Sequence, residues 1–339
     1  MKTKKDGKAA AFFRKLTGNH EVSLALILIL MFVVVDILSG GTFHTFGNIT
    51  DIFRNNALTL LMSLGMLLVL LTGGIDISIT GVLAFSGMTI GLMMKNNMFA
   101  GVPLPLRIVM FFVIATTIGT ACGFINGIII AKGKVSPIIC TLGAMYVWRG
   151  MAYIISNNSW ASALDVQGFS DFGKEGSLGP YIILIVAFAA FFVLMKWTGF
   201  GRKVYAIGSN KEAARISGIN VDRVQIAVYT IMGALSGLAG ALSVSIYASG
   251  QPNMQTGKEM DVIAACVIGG VSMSGGRGTV LGTLLGGIFY AIVYKALPLV
   301  GLESIWQNLI KGVIILAVVV INVVTQRTMK RRTLARREI

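Results

Sequence analysis

The sequence predicts an all-α, polytopic membrane protein of about ten transmembrane helices, with at least one short or broken segment. Three observations predict it. Of 339 residues, 55% are hydrophobic and only 13% charged, whereas a soluble domain carries about 25% charged residues. The apolar residues fall in runs, most of them near the length of about 20 that crosses a bilayer as a helix. The 41 glycines exceed the usual share of about 7%, as close helix packing in a bilayer requires.

Residues 1–21 form a basic N-terminal segment, with Lys2, Lys4, Lys5, Lys8, Arg14 and Lys15 against Asp6. The run 22–38 follows. It exceeds a usual signal-peptide core, and Ser39-Gly40-Gly41 is a poor cleavage context, so it reads as an uncleaved first span. Further runs cover 57–72, 77–94, 108–131, 135–156, 180–197, 224–248, 261–273, 279–297 and 305–324. The run 261–273 is short: a broken or re-entrant segment, or a span completed by neighbouring glycines. The membrane domain is thus 22–325, closed by a basic tail, 326–339.

Ten spans put both termini on one side of the membrane. That side collects 21 of the 29 Lys and Arg, including Lys132, Lys134, Arg277 and those of the loop 199–223. The positive-inside rule therefore places both termini and that loop in the cytoplasm. The opposite long loop, 157–179, carries Asp165, Asp171 and Glu175 with one lysine. Because the basic residues sit in short intervals between apolar runs, the net charge of +15 reads as topology and not as a nucleic-acid surface.

The loop 199–223 is the longest polar interval between apolar runs and holds the signals of a short helix. Ser209 or Asn210 suits the N-cap, Ser209 and Glu212 have capping-box spacing, and Gly218 suits the left-handed position after the C-cap. Two turns, 211–217, are too short to be stable alone, so the helix is expected to meet a partner that pushes on the membrane domain.

Other motifs carry two readings each. The junction Thr72-Gly73-Gly74-Ile75-Asp76-Ile77-Ser78 is a helix end and cap, or a discontinuous helix lining a polar path. The glycine run 269–278 resembles a phosphate loop, but Gly276 and Arg277 stand where Lys and Ser or Thr are needed, leaving a tight turn between spans. Glycines at 119, 123 and 127, at 233 and 237, and at 282 and 286 mark close helix packing within the chain, with a dimer contact as the alternative. Polar residues within runs, among them Asn126, Tyr146 and Arg149, bond neighbouring helices or line a route for a neutral polar solute; Arg149 is expected to snorkel or face a cavity. The candidate translocation path is therefore Asp76, Ser78, Asn126, Tyr146 and Arg149. Cys122, Cys140 and Cys266 read as small buried hydrophobes, and neither metal-ligand spacing nor a nucleophile elbow is present.

Three stretches in order, GGIDIS at 73–78, GRKVYAIGSNKEAARISGINVDRV at 201–224, and EMDVIAACVIGG at 259–270 with the following SGGRGTVLGTLLG, resemble the ribose/xylose/galactoside-type permeases, membrane subunits of bacterial ATP-binding-cassette sugar importers. The resemblance extends from about residue 48 to 324. It implies a cytoplasmic ATPase that binds ATP and magnesium, with no cofactor in this chain, an extracytoplasmic solute-binding protein, and a second permease copy or paralogue, with this chain itself in the lipid of the bacterial inner membrane. It also implies that Asn210, Lys211, Glu212, Ala213, Ala214, Arg215 and Gly218 form a coupling helix on the ATPase, with Ala213 and Ala214 as its small face. Ser209 stands where the family often has a second glycine, and GGIDIS continues with Ile79-Thr80 in place of Val-Gly. The alternative function is a self-sufficient secondary carrier, which often pairs carboxylates at mid-membrane; Asp36, Asp76, Asp261 and Glu303 all fall near expected span ends, which favours the importer.

Overall fold

The structure, a computed structural model, describes residues 20–162 and 168–299, with isolated positions between 306 and 320. Its helices are α1 (His20–Leu38), α2 (Phe46–Leu71), α3 (Ile79–Lys95), α4 (Leu104–Ala131), α5 (Pro137–Ser156), α6 (Phe169–Gly173), α7 (Gly179–Trp197), α8 (Gly199–Ser209), α9 (Lys211–Ile216), α10 (Val221–Tyr247), α11 (Lys258–Ile268) and α12 (Val280–Leu299). Two-residue strands β1 (Ala161–Ser162) and β2 (Ser249–Gly250) pair antiparallel. Each of the first nine expected runs is found as a helix; the tenth, 305–324, and the two basic termini lie largely outside the described residues. Seven of the described helices are long and apolar enough to cross a membrane.

The bundle is inside-out relative to a soluble protein. Helix α2 sits at its centre, every residue from Asn56 to Leu71 buried, packed against α10, α11, α12 and α7. The outer helices turn apolar side chains outward: Ile29, Leu30 and Ile37 on α1, Ile139 and Ile154 on α5, Ile185 and Val186 on α7. Such a continuous apolar belt suits lipid.

Helices α4 and α10 form the closest pair. A Cβ on Gly119 or Gly123 would collide with the α10 backbone at Gly233 or Tyr229, and one on Gly237 with Ala115. Gly282 and Gly286 meet Ala265 and Gly269 in the same way. The glycine stripes therefore serve packing inside the chain.

The two ends of the bundle differ. At one end the C-terminus of α2, the helix α8 and the turn 269–278 meet, with Gly276 donating to the Leu71 carbonyl at 3.0 Å. The start of α1 joins them through His20 Nε2 and the Ile268 carbonyl, 3.3 Å apart. The strand pair, linking Ala161 to Gly250, lies at the other end.

One segment departs from expectation. Residues 199–209 are not an irregular loop but the helix α8, capped by Thr198, whose hydroxyl accepts from Gly201 N at 3.3 Å. Gly201, Val204 and Ile207 are buried on one face while Arg202 and Lys203 point out. Three small or apolar residues at a spacing of three make a weak stripe, and the flanking charges hide it.

Candidate functional site

The loop helix α9 is built as its sequence requires at both ends. Asn210, and not Ser209, is the N-cap: its Oδ1 accepts from Glu212 N and Ala213 N, both at 3.0 Å. Ser209 instead closes α8, donating to the Tyr205 carbonyl at 2.9 Å, so no capping box forms. Gly218 adopts φ +81°, and the bonds Ile219 N to Ala214 O and Gly218 N to Arg215 O complete a Schellman end. The faces of α9 differ from expectation. Ala214 is buried, turned into this chain, whereas Lys211, Glu212, Ala213 and Arg215 are exposed. Ala214 therefore does not offer a small outward face. Ile216 does face outward, 87% exposed.

Helix α8 connects α9 to the bundle. A Cβ on Gly208 would overlap the Leu71 carbonyl and the Gly276 amide. Tyr205 donates to the Gly278 carbonyl at 2.7 Å, and burial pushes its phenol above the ordinary value, which keeps it a neutral donor. The turn 269–278 is a tight one, closed by Ser272 N to Arg277 O at 2.8 Å, with Gly275 and Gly276 both left-handed. Its amides are spent on the chain itself, and it presents no phosphate loop.

At the α2–α3 junction the left-handed Gly73 ends α2, and Asp76 Oδ1 accepts from Ser78 N at 2.9 Å and from Ser78 Oγ at 2.6 Å. Asn126 Nδ2 on α4 donates to the same Ser78 Oγ at 2.9 Å. Asp76, Ser78 and Asn126 are thus brought together, all buried. Tyr229 of α10 joins them, its hydroxyl lying against Gly74. Neither Asn126 Oδ1 nor the Tyr229 hydroxyl has a hydrogen-bond partner among the described residues.

A second junction mirrors the first. After α10 the chain runs irregularly through 248–257 and then forms α11. With 11 residues, α11 spans about 16 Å at ~1.5 Å per residue, and α3 with 17 about 26 Å; a hydrocarbon core is about 30 Å thick. Both helices therefore begin part-way through the bundle, and their first turns meet where Thr80 Oγ1 donates to Glu259 Oε2 at 2.8 Å. Glu259, in the first turn of α11, thus holds its carboxyl group against the first turn of α3. Asp261, two residues on, is fully buried and 3.5 Å from Lys258.

These positions correct the reading of the carboxylates. Asp76, Glu259 and Asp261 do lie at helix starts, but those starts are buried within the bundle. Their location does not argue against a carrier.

Of the remaining path candidates, Arg149 is half-buried on α5 and donates to Thr256 Oγ1 at 2.5 Å, on the far side of the α3–α11 junction from the α9 end. Its side chain reaches the polar segment between α10 and α11. Tyr146 is 68% exposed on the outward side of α5 and joins neither cluster. Ile216, Tyr205, Tyr229 and Glu259 were missed as site residues. Ile216 is legible as the one bulky aliphatic residue in the short helix signal; Tyr229 carries no signal, because a tyrosine in an apolar run reads as core. Among the described residues no group of three or more His, Cys, Asp or Glu could hold a metal.

The comparisons agree across most of the chain. The family profile described as "Branched-chain amino acid transport system / permease component" matches residues 48–319. The ribose import permease of Bacillus subtilis (strain 168) is 39% identical over 293 residues, covering 85% of this chain and 88% of that protein. The ribose import permease of Escherichia coli (strain K12) is 35% identical over 90% of this chain and 94% of its own length. The galactose/methyl galactoside import permease of the same strain is 32% identical over 89% and 93%. No solved structure matches the chain at a significant level.

Proposed function

We propose a function on one premise: the chain belongs to the family of transport-system permease components. Within that family it is the membrane-spanning permease subunit of an ABC sugar importer, a transport subunit and not an enzyme, in the multi-pass class of inner-membrane proteins. The curated relatives are import permeases for ribose, arabinose and galactosides, and they favour this reading over a self-sufficient carrier.

The finer mechanism is our reading. A cytoplasmic ATPase binds ATP and magnesium and docks on α9; a solute-binding protein delivers the sugar at the opposite end; a second permease copy or paralogue completes the pathway. The observation that carries it is α9 itself: a two-turn helix too short to persist alone, capped at both ends, and presenting Ile216 outward on the face of Glu212 and Ala213, one turn before it. A bulky aliphatic side chain left exposed on a separately capped helix is a candidate anchor for a docking partner. Displacement of α9 moves α8, and Tyr205 and Gly208 of α8 press on Gly278, Gly276 and the end of α2. From there it reaches Asp76 and Ser78, five and seven residues along the chain from Leu71, and Asn126, which donates to Ser78, and biases the junction between closed and open arrangements. Both termini lie in the cytoplasm in this reading, in keeping with the basic residues at the α9 end.

The substrate is a neutral sugar in this account. Half-helix N-termini that meet in a transporter attract anionic groups, but here Glu259 occupies that place. Co-purification of the tagged chain from its native membrane, with mass spectrometry of what remains bound, tests the reading. An ABC ATPase and a periplasmic-type sugar-binding protein are expected. Saturable ATP binding by the purified chain alone would refute the division of labour.

A further inference from the structure

The irregular segment between α10 and α11 borders a cavity of ≈ 340 Å³, lined by Ser243, Tyr247, Ser249, Gln251, Met254 and Gln255. It lies at the strand-pair end of the bundle, since β2 carries Ser249 and pairs with β1. We propose that this cavity is a sugar-binding station of the permease itself, the first that a neutral monosaccharide occupies after release from its carrier protein. The inference rests on the importer reading and adds to it the place and chemistry of recognition.

Four observations carry it. The size falls in the range of about 300–1,000 Å³ typical of small-molecule sites. The lining holds two primary amides and three hydroxyls, each able to donate and to accept, and no ionised side chain. A sugar hydroxyl also donates and accepts, so the set is complementary to a polyol, whereas an ion would find no counter-charge. Met254 and the Tyr247 ring supply apolar surface for the C–H face of a pyranose or furanose. Finally, the cavity is lined by the non-helical segment that follows α10, in which two non-glycine residues take positive φ, Ala248 at +51° and Gln255 at +55°.

Hydrogen-bonded polar groups also extend from the cavity lining toward the interior. Thr256, next to Gln255, accepts from Arg149 at 2.5 Å, and Glu259 three residues further accepts from Thr80 at 2.8 Å. Thr80 lies two residues from Ser78, which bonds Asp76 and Asn126. Polar groups thus lead from the cavity, past the meeting of α3 and α11, to the cluster at the α2–α3 junction.

The test uses the full chain in lipid nanodiscs with Gln251→Cys, labelled by a hydrophilic maleimide; the unsubstituted chain, whose three cysteines are buried or partly buried, sets the background. Excess D-ribose, L-arabinose or D-galactose is expected to slow labelling at least threefold for one or more of them, while sodium chloride and D-ribose 5-phosphate do not. Gln255→Ala is expected to abolish the protection without changing the unprotected labelling rate. Labelling indifferent to all three sugars, or protection as strong by ribose 5-phosphate as by ribose, overturns the proposal. A chain that still retains an ABC ATPase while showing no protection sinks only this site. A chain that retains none sinks the importer reading instead.

Discussion

The Thr80 hydroxyl donates to the Glu259 carboxylate at 2.8 Å, joining the first turns of α3 and α11 across 179 residues of sequence. Each helix alone is too short to span the bilayer, and each leaves its N-terminal amides in the interior. One buried carboxylate, on α11, takes the hydroxyl of the first turn of α3. Glu259→Gln keeps an acceptor for Thr80 and removes the charge, at a cost of about 0.3–1 kcal/mol per helix terminus. Glu259→Ala also strands the hydroxyl, adding about 1–3 kcal/mol. Thermal unfolding in detergent should rank the midpoints wild type, Gln, Ala in descending order; an Ala variant as stable as Gln would mean that the bond contributes nothing.

The contact of α8 with the turn 269–278 leaves no room for a methyl group. Gly208→Ala places a Cβ against the Leu71 carbonyl and the Gly276 amide, both backbone groups that cannot turn aside. Overpacking of this kind costs about 1–3 kcal/mol. Gly143→Ala on α5 meets no atom within 4 Å and should hold or raise the melting temperature, since alanine is the better helix former by about 1 kcal/mol. Equal melting temperatures for the two variants would show that the α8 contact is loose.

Much of this architecture is legible in the sequence, because the hydrophobic runs, the glycine spacing and the cap residues each act locally. Gly218 can be placed from neighbours within four residues, whereas the N-cap of α9 is narrowed only to Ser209 or Asn210 until the structure selects Asn210. Two features resist that reading. The stripe Gly201, Val204, Ile207 is too sparse to outweigh the charges beside it, so α8 looks like loop. The depth of Asp76, Glu259 and Asp261 depends on where α3 and α11 begin relative to the other helices, a tertiary property. A carboxylate at a helix start looks like one at a membrane surface until the start is seen to be buried. The inward turn of Ala214 is of the same kind: two turns of helix do not reveal which face the bundle takes.

Asp76 holds the first junction through its Oδ1, which accepts from both the amide and the hydroxyl of Ser78. Asp76→Asn retains an acceptor oxygen and should preserve folding. Asp76→Ala leaves a buried amide and hydroxyl unsatisfied, at about 1–3 kcal/mol, and loosens Asn126 with them. Sugar uptake by the assembled importer should be lost in Asp76→Ala and retained at a measurable rate in Asp76→Asn. The reverse order would mean that charge, and not hydrogen bonding, is what the junction needs.

The cap of α9 and its outward face separate stability from docking. Asn210→Ala removes the acceptor of two amides, at about 0.5–2 kcal/mol, and Asn210→Asp keeps it. Because α9 is only two turns long, that cost falls on the helix and not on the bundle, so ATPase affinity should drop severalfold for Ala at an unchanged melting temperature and stay near wild type for Asp. Ile216→Asp goes further. At 87% exposure the side chain supports nothing in this chain, so its replacement should leave the melting temperature alone. If Ile216 is the anchor in the ATPase groove, truncation of such a residue costs about 2 kcal/mol or more, and the ATPase should fail to co-purify. Ala214→Glu behaves oppositely. It forces a carboxylate into a buried contact within the permease and should lower the melting temperature first. An Ile216→Asp variant that still retains its ATPase would move the docking surface off this face of α9.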